Sequence, residues 1–397
     1  MAVELWNQLA GAVLAGLDES HLLRHRRLIT PIDATHVLYE GRQCVNFASN
    51  NYLGLTHHPQ VIAAAEQSLR RSGAGSGASP LITGYGPSHA AAEQHIARWK
   101  QTQAAVLLPS GYQANHAAIQ TFAAIAEKSG RNVRFLLDKL CHASLIDAVR
   151  GSGMRFRIFP HNHLTKLERL LTQADTNELQ VVIAESIFSM DGDAADLPGL
   201  AELKRIYPFA LLLDEAHATG VYGPAGSGLA AELGLRDIVD VTVITCSKAL
   251  GSAGGAVCGS QAFCDSLVNL ARAYIYSTHL PPAMAAATDA AITVMENNPL
   301  RQRRLRRITR HVRDELAHGP WQVMMGDSPI IPLVVGTETA ALDAAQSLLS
   351  RGLLVFPIRP PTVPRGTSRL RVTLSSEHSD EEIKQVIRAI RDAHGHA

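Results

Sequence analysis

The sequence predicts an α/β protein with a large, mostly parallel sheet and a smaller α+β domain at its carboxyl end. Its 397 residues are more than one ordinary hydrophobic core accommodates. Between about residues 104 and 259, short apolar runs alternate with helix-like patterns. After about residue 285 the pattern changes to an arginine-rich segment followed by three strand-like runs. These three observations together predict two domains of unequal size.

The predicted organisation has three segments. They are an amino-terminal helix and arm (1–47), a large α/β domain (48–285) and a small α+β domain (286–397). Apolar residues recur at helical spacing near the start of the chain: Trp6, Leu9, Val13 and Leu17. This spacing predicts an amphipathic helix that packs against the body of the protein.

The composition is that of a soluble globular protein, with 46% hydrophobic and 18% charged residues. The formal net charge of +1 gives no reason to expect a nucleic acid as partner. Five widely spaced cysteines without a CxxC pair favour neither a disulfide framework nor a zinc site, and they fit a reducing cytoplasm. No apolar run approaches the roughly 18 residues that a membrane-spanning helix requires. We therefore expect a cytoplasmic protein without a membrane partner.

Six apolar runs of the middle segment predict strands: AAVLLP, NVRFLLD, QVVIAES, FALLLDEA, DVTVITCS and GAVCG. Short runs that are apolar throughout are typical of parallel strands covered by helices on both faces. Polar stretches follow five of them: SGYQAN, KLCHAS, SIFSMDGD, EAHATG and SKALG. Because ligands bind beyond the carboxyl ends of such strands, we expect these stretches to form one site.

The arginine-rich segment RQRRLRRITRHVRDEL raises the question of nucleic-acid binding. Its apolar residues form a single helical stripe: Leu305, Ile308, Val312 and Leu316. A solvated amphipathic helix explains the arginines better than a nucleic-acid site, because the chain as a whole is not basic. The runs IIPLVVG, LLVFPI and RLRVTL predict the strands of the small domain.

Lys248 lies between an apolar run and a stretch rich in glycine, alanine and serine, in the sequence TCSKALGSAGG. A phosphate-binding loop would need GxxxxGK followed by Ser or Thr, and that motif is absent. Two interpretations remain. The residue is either a strand-end lysine with a buried stem and a solvated ammonium, or a lysine that forms a Schiff base with an aldehyde cofactor.

Asp214 ends the run ALLLD, one strand-helix unit before Lys248. It could cap a helix. Alternatively, it could be a buried carboxylate, which is costly unless a positive charge pairs with it. The protonated pyridine nitrogen of pyridoxal 5′-phosphate (PLP) would supply that charge, and the pairing would make the ring an electron sink.

Two histidines follow neighbouring predicted strands. His217 could reach the phenolic oxygen of PLP, and His142 could lie flat against its ring. Either residue could instead have a structural role. No HExxH or other convincing ligand spacing occurs, so we do not interpret them as metal ligands.

A turn into a helix at Ser110 and Gly111 could hold the cofactor phosphate, because free backbone amides and the helix dipole favour an anion. Thr245 and Ser247 would add hydroxyl donors beside Lys248. An ordinary turn would have a similar sequence, so this indication depends on the others.

The motifs DEAHATGVYGPAGSG, TCSKALGSAGG and SMDGD together resemble those of the α-oxoamine synthases, which are PLP enzymes of fold type I. The resemblance covers nearly the whole chain, from NNYLGL to RLRVTL. It implies an aspartate aminotransferase-like fold and a PLP-dependent C-acyltransferase.

The resemblance also implies roles for individual residues. Lys248 would form the Schiff base, Asp214 would pair with the pyridine nitrogen, and His142 would stack on the ring and face the substrate. The remaining cofactor contacts would come from Gly111, Tyr112, Glu185, Ser189, His217 and Thr245. The substrate contacts would come from Arg24, Arg359 and Thr362, with Arg359 binding the amino-acid carboxylate.

Members of this family are homodimers with the site at the subunit interface, and IYSTHLPP resembles the segment that reaches the partner. Thr278 would then contact the PLP phosphate of the other subunit. Two departures concern the acyl-donor side. Pro80 and Leu81 stand where many relatives have a basic residue, and the usual His-Glu step reads His89-Ala90.

Within the family, IRPPTVPRGTSRLR, SMDGD and IYST are most similar to the enzymes that join L-alanine to a pimeloyl thioester in biotin biosynthesis. The thioester carrier, coenzyme A or acyl carrier protein (ACP), stays open. Sister enzymes that use glycine or serine are the nearest alternative, and a non-catalytic binding subunit is the alternative from another class. A non-catalytic member would be expected to lose Lys248 or Asp214, and both are present.

Overall fold

A computed structural model describes residues 2–175 and 177–393, which form two compact units. The larger unit comprises residues 50–189 and 193–307, and the smaller unit comprises residues 2–49, 190–192 and 308–393. The segment boundaries at residues 47 and 285 remain predictions. The amino-terminal segment groups with the carboxyl-terminal one, and the larger unit continues to residue 307.

The described residues form the following α-helices: α1 (Ala2–Glu19), α2 (Pro59–Ser72), α3 (Pro87–Lys100), α4 (Gly111–Lys128), α5 (Ala143–Gly151), α6 (Leu164–Leu171), α7 (Leu197–Ile206), α8 (Leu229–Glu232), α9 (Gln261–Leu270), α10 (Arg272–Ile275), α11 (Pro282–Asn297), α12 (Leu300–Leu316), α13 (Glu338–Ser350) and α14 (Asp380–Arg391). None of the helices in this part of the chain is long and apolar enough to cross a membrane.

The same residues form the following strands: β1 (Ile29–Pro31), β2 (His36–Tyr39), β3 (Arg42–Asn46), β4 (Ala104–Leu108), β5 (Asn132–Asp138), β6 (Arg155–Phe159), β7 (Glu178–Glu185), β8 (Ala210–Asp214), β9 (Val241–Thr245), β10 (Gly255–Gly259), β11 (Gln322–Val323), β12 (Ile330–Gly336), β13 (Leu353–Leu354), β14 (Phe356–Ile358) and β15 (Ser368–Thr373).

The larger unit contains a mixed sheet in the order β4-β10-β9-β8-β7-β5-β6. Strands β6, β5, β7, β8 and β9 are parallel, and β10 lies antiparallel between β9 and β4. The predicted, mostly parallel sheet is therefore confirmed. The run GAVCG is antiparallel because residues 246–254 are too few for a crossover, which takes a dozen or more residues.

The central strands β8 and β9 are buried almost throughout, which explains their apolar runs. Helix α4 packs against β9 and β10, and its many alanines allow a close approach to the sheet. Strand β6 was not predicted. Its sequence RFRIF mixes arginines with apolar residues, because β6 is the last strand on one edge of the sheet.

The smaller unit contains two sheets, in the orders β11-β12-β15-β14 and β1-β2-β3-β13. The predicted runs IIPLVVG and RLRVTL form β12 and β15, which pair antiparallel. The run LLVFPI is divided between the two sheets. Leu354 in β13 pairs with Asn46, whereas Phe356 in β14 pairs with Arg371.

The two predicted amphipathic helices have different surroundings. All four apolar positions of the α12 stripe are buried, at most 4% exposed. Helix α1 also forms, but Trp6 is 73% and Val13 64% exposed, so the prediction that its apolar face packs against the body of the chain is wrong. An apolar stripe predicts that a helix has a partner surface without specifying which surface that is.

Candidate active site

Lys248 lies in the connection between β9 and β10, at the carboxyl end of a fully buried strand. The connection turns back on itself, because the Gly251 N–H donates to the Lys248 carbonyl at 3.0 Å and Ser252 N–H to the Cys246 carbonyl at 2.9 Å. Gly251 has φ = 63°, and a Cβ there would lie 2.4 Å from the backbone nitrogen of Thr56. A glycine at position 251 is thus required by the tightness of this loop.

The Lys248 side chain is half-buried and forms a hydrogen-bonded chain with His217 and Tyr52. Its Nζ lies 2.8 Å from Nε2 of His217, and Nδ1 of that ring lies 2.6 Å from the Tyr52 hydroxyl. If Lys248 is an ammonium, it donates to Nε2 of His217, and the imidazole then carries its proton on Nδ1 and donates to Tyr52. Lys248, His217 and Tyr52 are therefore connected by two short hydrogen bonds.

Tyr52 is a site residue that the sequence analysis missed. It lies in NNYLGL, which was used only to mark where the resemblance begins, and its side chain is fully buried. Its hydroxyl also lies 3.3 Å from Oδ1 of Asn50. A tyrosine far from Lys248 along the chain gives no local signal of this contact.

Asp214 ends β8 and is buried, with 5% of its surface exposed. One carboxylate oxygen accepts from Asn115 Nδ2 at 2.8 Å, and the other accepts from the Ala216 N–H at 2.8 Å. Both donors are neutral. A buried carboxylate in this setting is stabilised when a cation approaches it, so the site fits a protonated pyridine nitrogen.

Asn115, which was also not predicted, lies four residues after Gly111 in the first turns of α4. Its Oδ1 is buried and has no hydrogen-bond partner among the residues that the structure describes. Buried polar atoms are normally paired. This unpaired acceptor beside Asp214 is a second feature that fits a bound polar group.

Glu185 lies beside Asp214 in the register of β7 and β8 and accepts from the backbone N–H groups of His142 and Ser189. Burial raises the pKa of Glu185 well above its ordinary range, and the charge of Asp214 raises it further. Two adjacent buried carboxyls do not both ionise readily. The raised pKa favours the protonated form of Glu185.

His142 caps α5, and its Nδ1 lies 2.8 Å from the Ser144 hydroxyl. Burial lowers its pKa, and the charge of Lys248 lowers it further, against the opposing effect of Asp214. At neutral pH the imidazole is therefore uncharged. An uncharged ring suits a stacking role, because it adds no second cation beside Asp214.

The turn that the sequence analysis predicts to bind the phosphate lies at the start of α4. Ser110 caps this 18-residue helix by accepting from the Gln113 N–H at 3.1 Å. A Cβ on Gly111 would lie 3.2 Å from both Cβ and Oγ1 of Thr245. The Thr245 hydroxyl lies 2.9 Å from that of Ser247, so hydroxyls and free amides converge here.

Tyr112 and Thr278 lie near the same end of α4. Tyr112 donates its hydroxyl to Asp147 at 2.7 Å and stacks on His116, with 4.9 Å between the ring centroids. Thr278 is exposed, and the neighbouring Ser277 accepts from Gln113 at 3.1 Å. Both residues are therefore close to the turn at Ser110 and Gly111 in the chain or in space.

The predicted substrate residues Arg24, Arg359 and Thr362 lie in the smaller unit. Arg24 Nη2 lies 3.4 Å from the Thr362 hydroxyl, and Arg359 donates to the carbonyl of His21. Arg24 and Arg359 line a cavity of about 1010 Å³ within that unit. Burial lowers the pKa of Arg359, and the charges of Arg24 and Arg27 lower it further.

The departure at Pro80 and Leu81 lies in a π-helical turn, Pro80–Gly84, of the larger unit. Leu81 is exposed there. The other unusual position, His89, is buried, with Nε2 lying 2.7 Å from the Leu280 carbonyl. Its partner there is an uncharged backbone carbonyl, which indicates a structural role for His89.

The mostly parallel sheet, with a lysine and a buried aspartate at its carboxyl edge, defines a PLP-dependent enzyme of fold type I. The chain belongs to the aminotransferase class I and II family, whose model matches residues 42–390. The predicted fold type, enzymatic class and PLP cofactor are confirmed.

Known proteins resemble the chain over almost its full length. A relative from Desulforudis audaxviator, provisionally named an 8-amino-7-oxononanoate synthase, is 42% identical over 96% of this chain and 97% of its own. The 8-amino-7-oxononanoate synthase of Cellvibrio japonicus is 38% identical over 96% of this chain and 94% of its own. A solved serine palmitoyltransferase from S. paucimobilis with bound PLP-myriocin aldimine is 27% identical, with a TM-score of 0.90 over 98% of each chain.

Proposed function

We propose that the protein condenses L-alanine with a pimeloyl thioester and releases 8-amino-7-oxononanoate, carbon dioxide and the free thiol carrier. This is the reaction of 8-amino-7-oxononanoate synthase in biotin biosynthesis. The proposal rests on two relatives that carry the name 8-amino-7-oxononanoate synthase, one of them provisionally. They are 42% and 38% identical to this chain over 96% of its length. The cytoplasm is the proposed location.

Bound PLP supplies an electron sink that stabilises negative charge at the substrate Cα. Lys248 would hold the cofactor through its aldehyde and, once displaced by the amino acid, would take the Cα proton onto Nζ. His217 lies 2.8 Å from that nitrogen, so it would orient the amine and share its proton with Tyr52. Asp214 would keep the pyridine nitrogen protonated.

The surrounding residues would position the cofactor without adding charge. His142 would stack on the ring as a neutral imidazole, and Glu185 would hold the start of its helix through the backbone. Gly111 and Thr245 would bind the phosphate together with Tyr112. Ser189 would contact the phenolic oxygen alongside His217.

Arg359 is the proposed binding group for the alanine carboxylate, with Arg24 and Thr362 as further substrate contacts. The Arg359→Lys variant is expected to raise KM for L-alanine by about tenfold with little change in kcat, because lysine cannot form the paired hydrogen bonds of a guanidinium. Steady-state kinetics with saturating thioester measure KM for L-alanine and kcat separately.

Arg371, a buried arginine of β15, provides the matched comparison. The proposed role of Arg359 is refuted if the KM for L-alanine rises in the Arg371→Lys variant and stays unchanged in the Arg359→Lys variant. Thermal unfolding of both variants checks that either change acts on binding and not on folding.

A homodimer is part of the proposal, with Thr278 reaching the PLP phosphate of the other subunit. The exposed apolar face of α1 supports it, because a large apolar surface on a soluble protein commonly marks an interaction site. The exposed position of Thr278 allows a contact with a second chain.

The experiment that tests the reaction supplies the PLP-loaded enzyme with L-alanine, glycine or L-serine, each with pimeloyl-CoA and pimeloyl-ACP. Released carbon dioxide and free thiol are measured together. L-Alanine is expected to give a kcat/KM at least about tenfold above the other two, since a pocket commonly discriminates one methyl group by that factor. Preference for glycine or serine would refute the proposal.

A serine-using sister enzyme is the second candidate, and the serine palmitoyltransferase structure with a TM-score of 0.90 favours it. Its identity of 27% is lower than that of the 8-amino-7-oxononanoate synthases. A non-catalytic subunit is disfavoured, because Lys248 and Asp214 are both present and the lysine has a proton-transfer partner.

A further inference from the structure

The imidazole of His161 bridges two carboxylates in the larger unit, outside the residues assigned above. Its Nδ1 lies 3.0 Å from Oδ1 of Asp138, and its Nε2 lies 2.7 Å from Oδ2 of Asp193. Asp138 ends β5, and Asp193 ends the SMDGD motif. The side chain of His161 is 23% exposed, so the bridge is largely shielded from water.

This geometry requires a cationic imidazole. Each carboxylate accepts, so both ring nitrogens must donate, and only the protonated ring has two N–H groups. Burial lowers the pKa of His161, but the hydrogen bonds to Asp138 and Asp193 outweigh it and raise the pKa to about 10. The bridge is therefore intact at neutral pH.

Asp138 organises the turn that leads to His142. Its carboxylate accepts from the Leu140 N–H at 2.8 Å and from the Asn162 N–H at 2.8 Å. Its carbonyl accepts from the Cys141 N–H at 3.1 Å. A shift of Asp138 would therefore move the backbone immediately before His142.

Asp193 closes the loop that contains Ser189. Its carbonyl accepts from the Phe188 N–H at 2.9 Å, and the next residue, Ala194, accepts from Asn162 Nδ2 at 2.9 Å. The His161 ring also meets Phe188 edge-on, with 4.4 Å between the ring centroids. A shift of Asp193 would therefore move the backbone beside Ser189.

We propose that His161 is a positioning residue of the cofactor site, which holds the turn before His142 and the loop of Ser189 at a constant separation. Both loops already meet at Glu185, which accepts from the backbone of His142 and of Ser189. His161 joins them a second time, through Asp138 and Asp193. The inference rests on the proposed function, because the roles of His142 and Ser189 are part of it.

The His161→Gln variant tests the inference, since a glutamine amide donates from one end only and cannot bond to both carboxylates. The apoenzyme is expected to bind PLP about tenfold more weakly, a size typical of losing a group that orients a ligand-binding residue. Titration of apoenzyme with PLP, followed by cofactor absorbance, measures this. Hydrogen exchange is expected to rise in residues 139–145 and 186–189 together.

Two further variants separate positioning from general stability. Asp193→Asn breaks the bridge from the other side, so the double variant with His161→Gln is expected to weaken PLP binding no more than either single variant. His311→Gln, on the exposed surface of α12, is the matched control and is expected to leave PLP affinity unchanged.

The bridge also predicts a pH dependence of unfolding. The folded pKa of about 10 exceeds the ordinary value of 6.5, so the stabilisation is complete below about pH 6.5 and is lost as pH rises through 10. The charged groups that face the ring are Asp138 and Asp193. The difference in melting temperature between wild type and His161→Gln is expected to shrink over that range.

Unchanged PLP affinity and unchanged exchange in both loops would overturn the inference, even if His161→Gln lowered the melting temperature. Additive effects in the double variant would overturn it as well. The PLP titration uses neither amino acid nor thioester. An enzyme that prefers another amino acid would therefore refute the proposed reaction and leave this test intact.

Discussion

Replacing Lys248 with alanine is expected to remove the covalent attachment of PLP and to lower kcat by at least about 10²-fold. A positioned general acid or base usually contributes about 10²–10⁴-fold, and this lysine would also be the covalent attachment point. Lys248 Nζ lies 2.8 Å from Nε2 of His217, so the proposed base has a neighbouring group for its proton. Borohydride reduction followed by mass spectrometry measures the attachment, and carbon dioxide release measures turnover.

Lys166→Ala, on the exposed side of α6, is the control and is expected to keep both the attachment and the rate. A Lys248→Ala protein that retains a borohydride-stable PLP adduct at its site would show that another amine holds the cofactor. Retained turnover above one per cent would argue against the role of Lys248 as the base.

Replacing Asp214 with asparagine is expected to lower kcat by about 10²–10³-fold while the protein still folds. This is the usual loss when one preorganised electrostatic group is removed from an active site. Asparagine has nearly the same shape but no charge, so it cannot stabilise a protonated pyridine nitrogen. Steady-state kinetics at saturating PLP measure the effect, and circular dichroism checks the fold.

Asp265→Asn, on the exposed face of α9, removes the same charge outside the site and is expected to leave kcat unchanged. A kcat within threefold of wild type for Asp214→Asn would contradict the pairing with the ring. The substitution is also expected to lower the pKa of Glu185, because the neighbouring negative charge that raises it is gone.

The sequence was informative about those candidate site residues that lie at or just after the end of a strand. Lys248 and Asp214 come at or just after the ends of β9 and β8, and parallel strands end at the same edge of a sheet. Their proximity could therefore be inferred from the order of apolar runs. The helix start proposed to bind the phosphate was placed at the same edge by the same argument, because α4 begins just after β4.

The sequence was uninformative where a contact joins distant parts of the chain. Tyr52 meets His217 across 165 positions, and Asn115 meets Asp214 across 99. Both residues are ordinary in their local patterns. The bridge of His161 was missed for the same reason, since a histidine in the stretch PHNHL has no spacing that indicates a carboxylate on either side.

The sequence by itself determined the class of fold and the positions of the buried central strands, because hydrophobic periodicity and short apolar runs are local properties. The tertiary structure decided the exposure of α1 and the raised pKa values of Glu185 and His161. Each of these depends on which groups lie within a few ångströms in the folded chain. Burial and neighbouring charge act through space, so the local sequence cannot specify them.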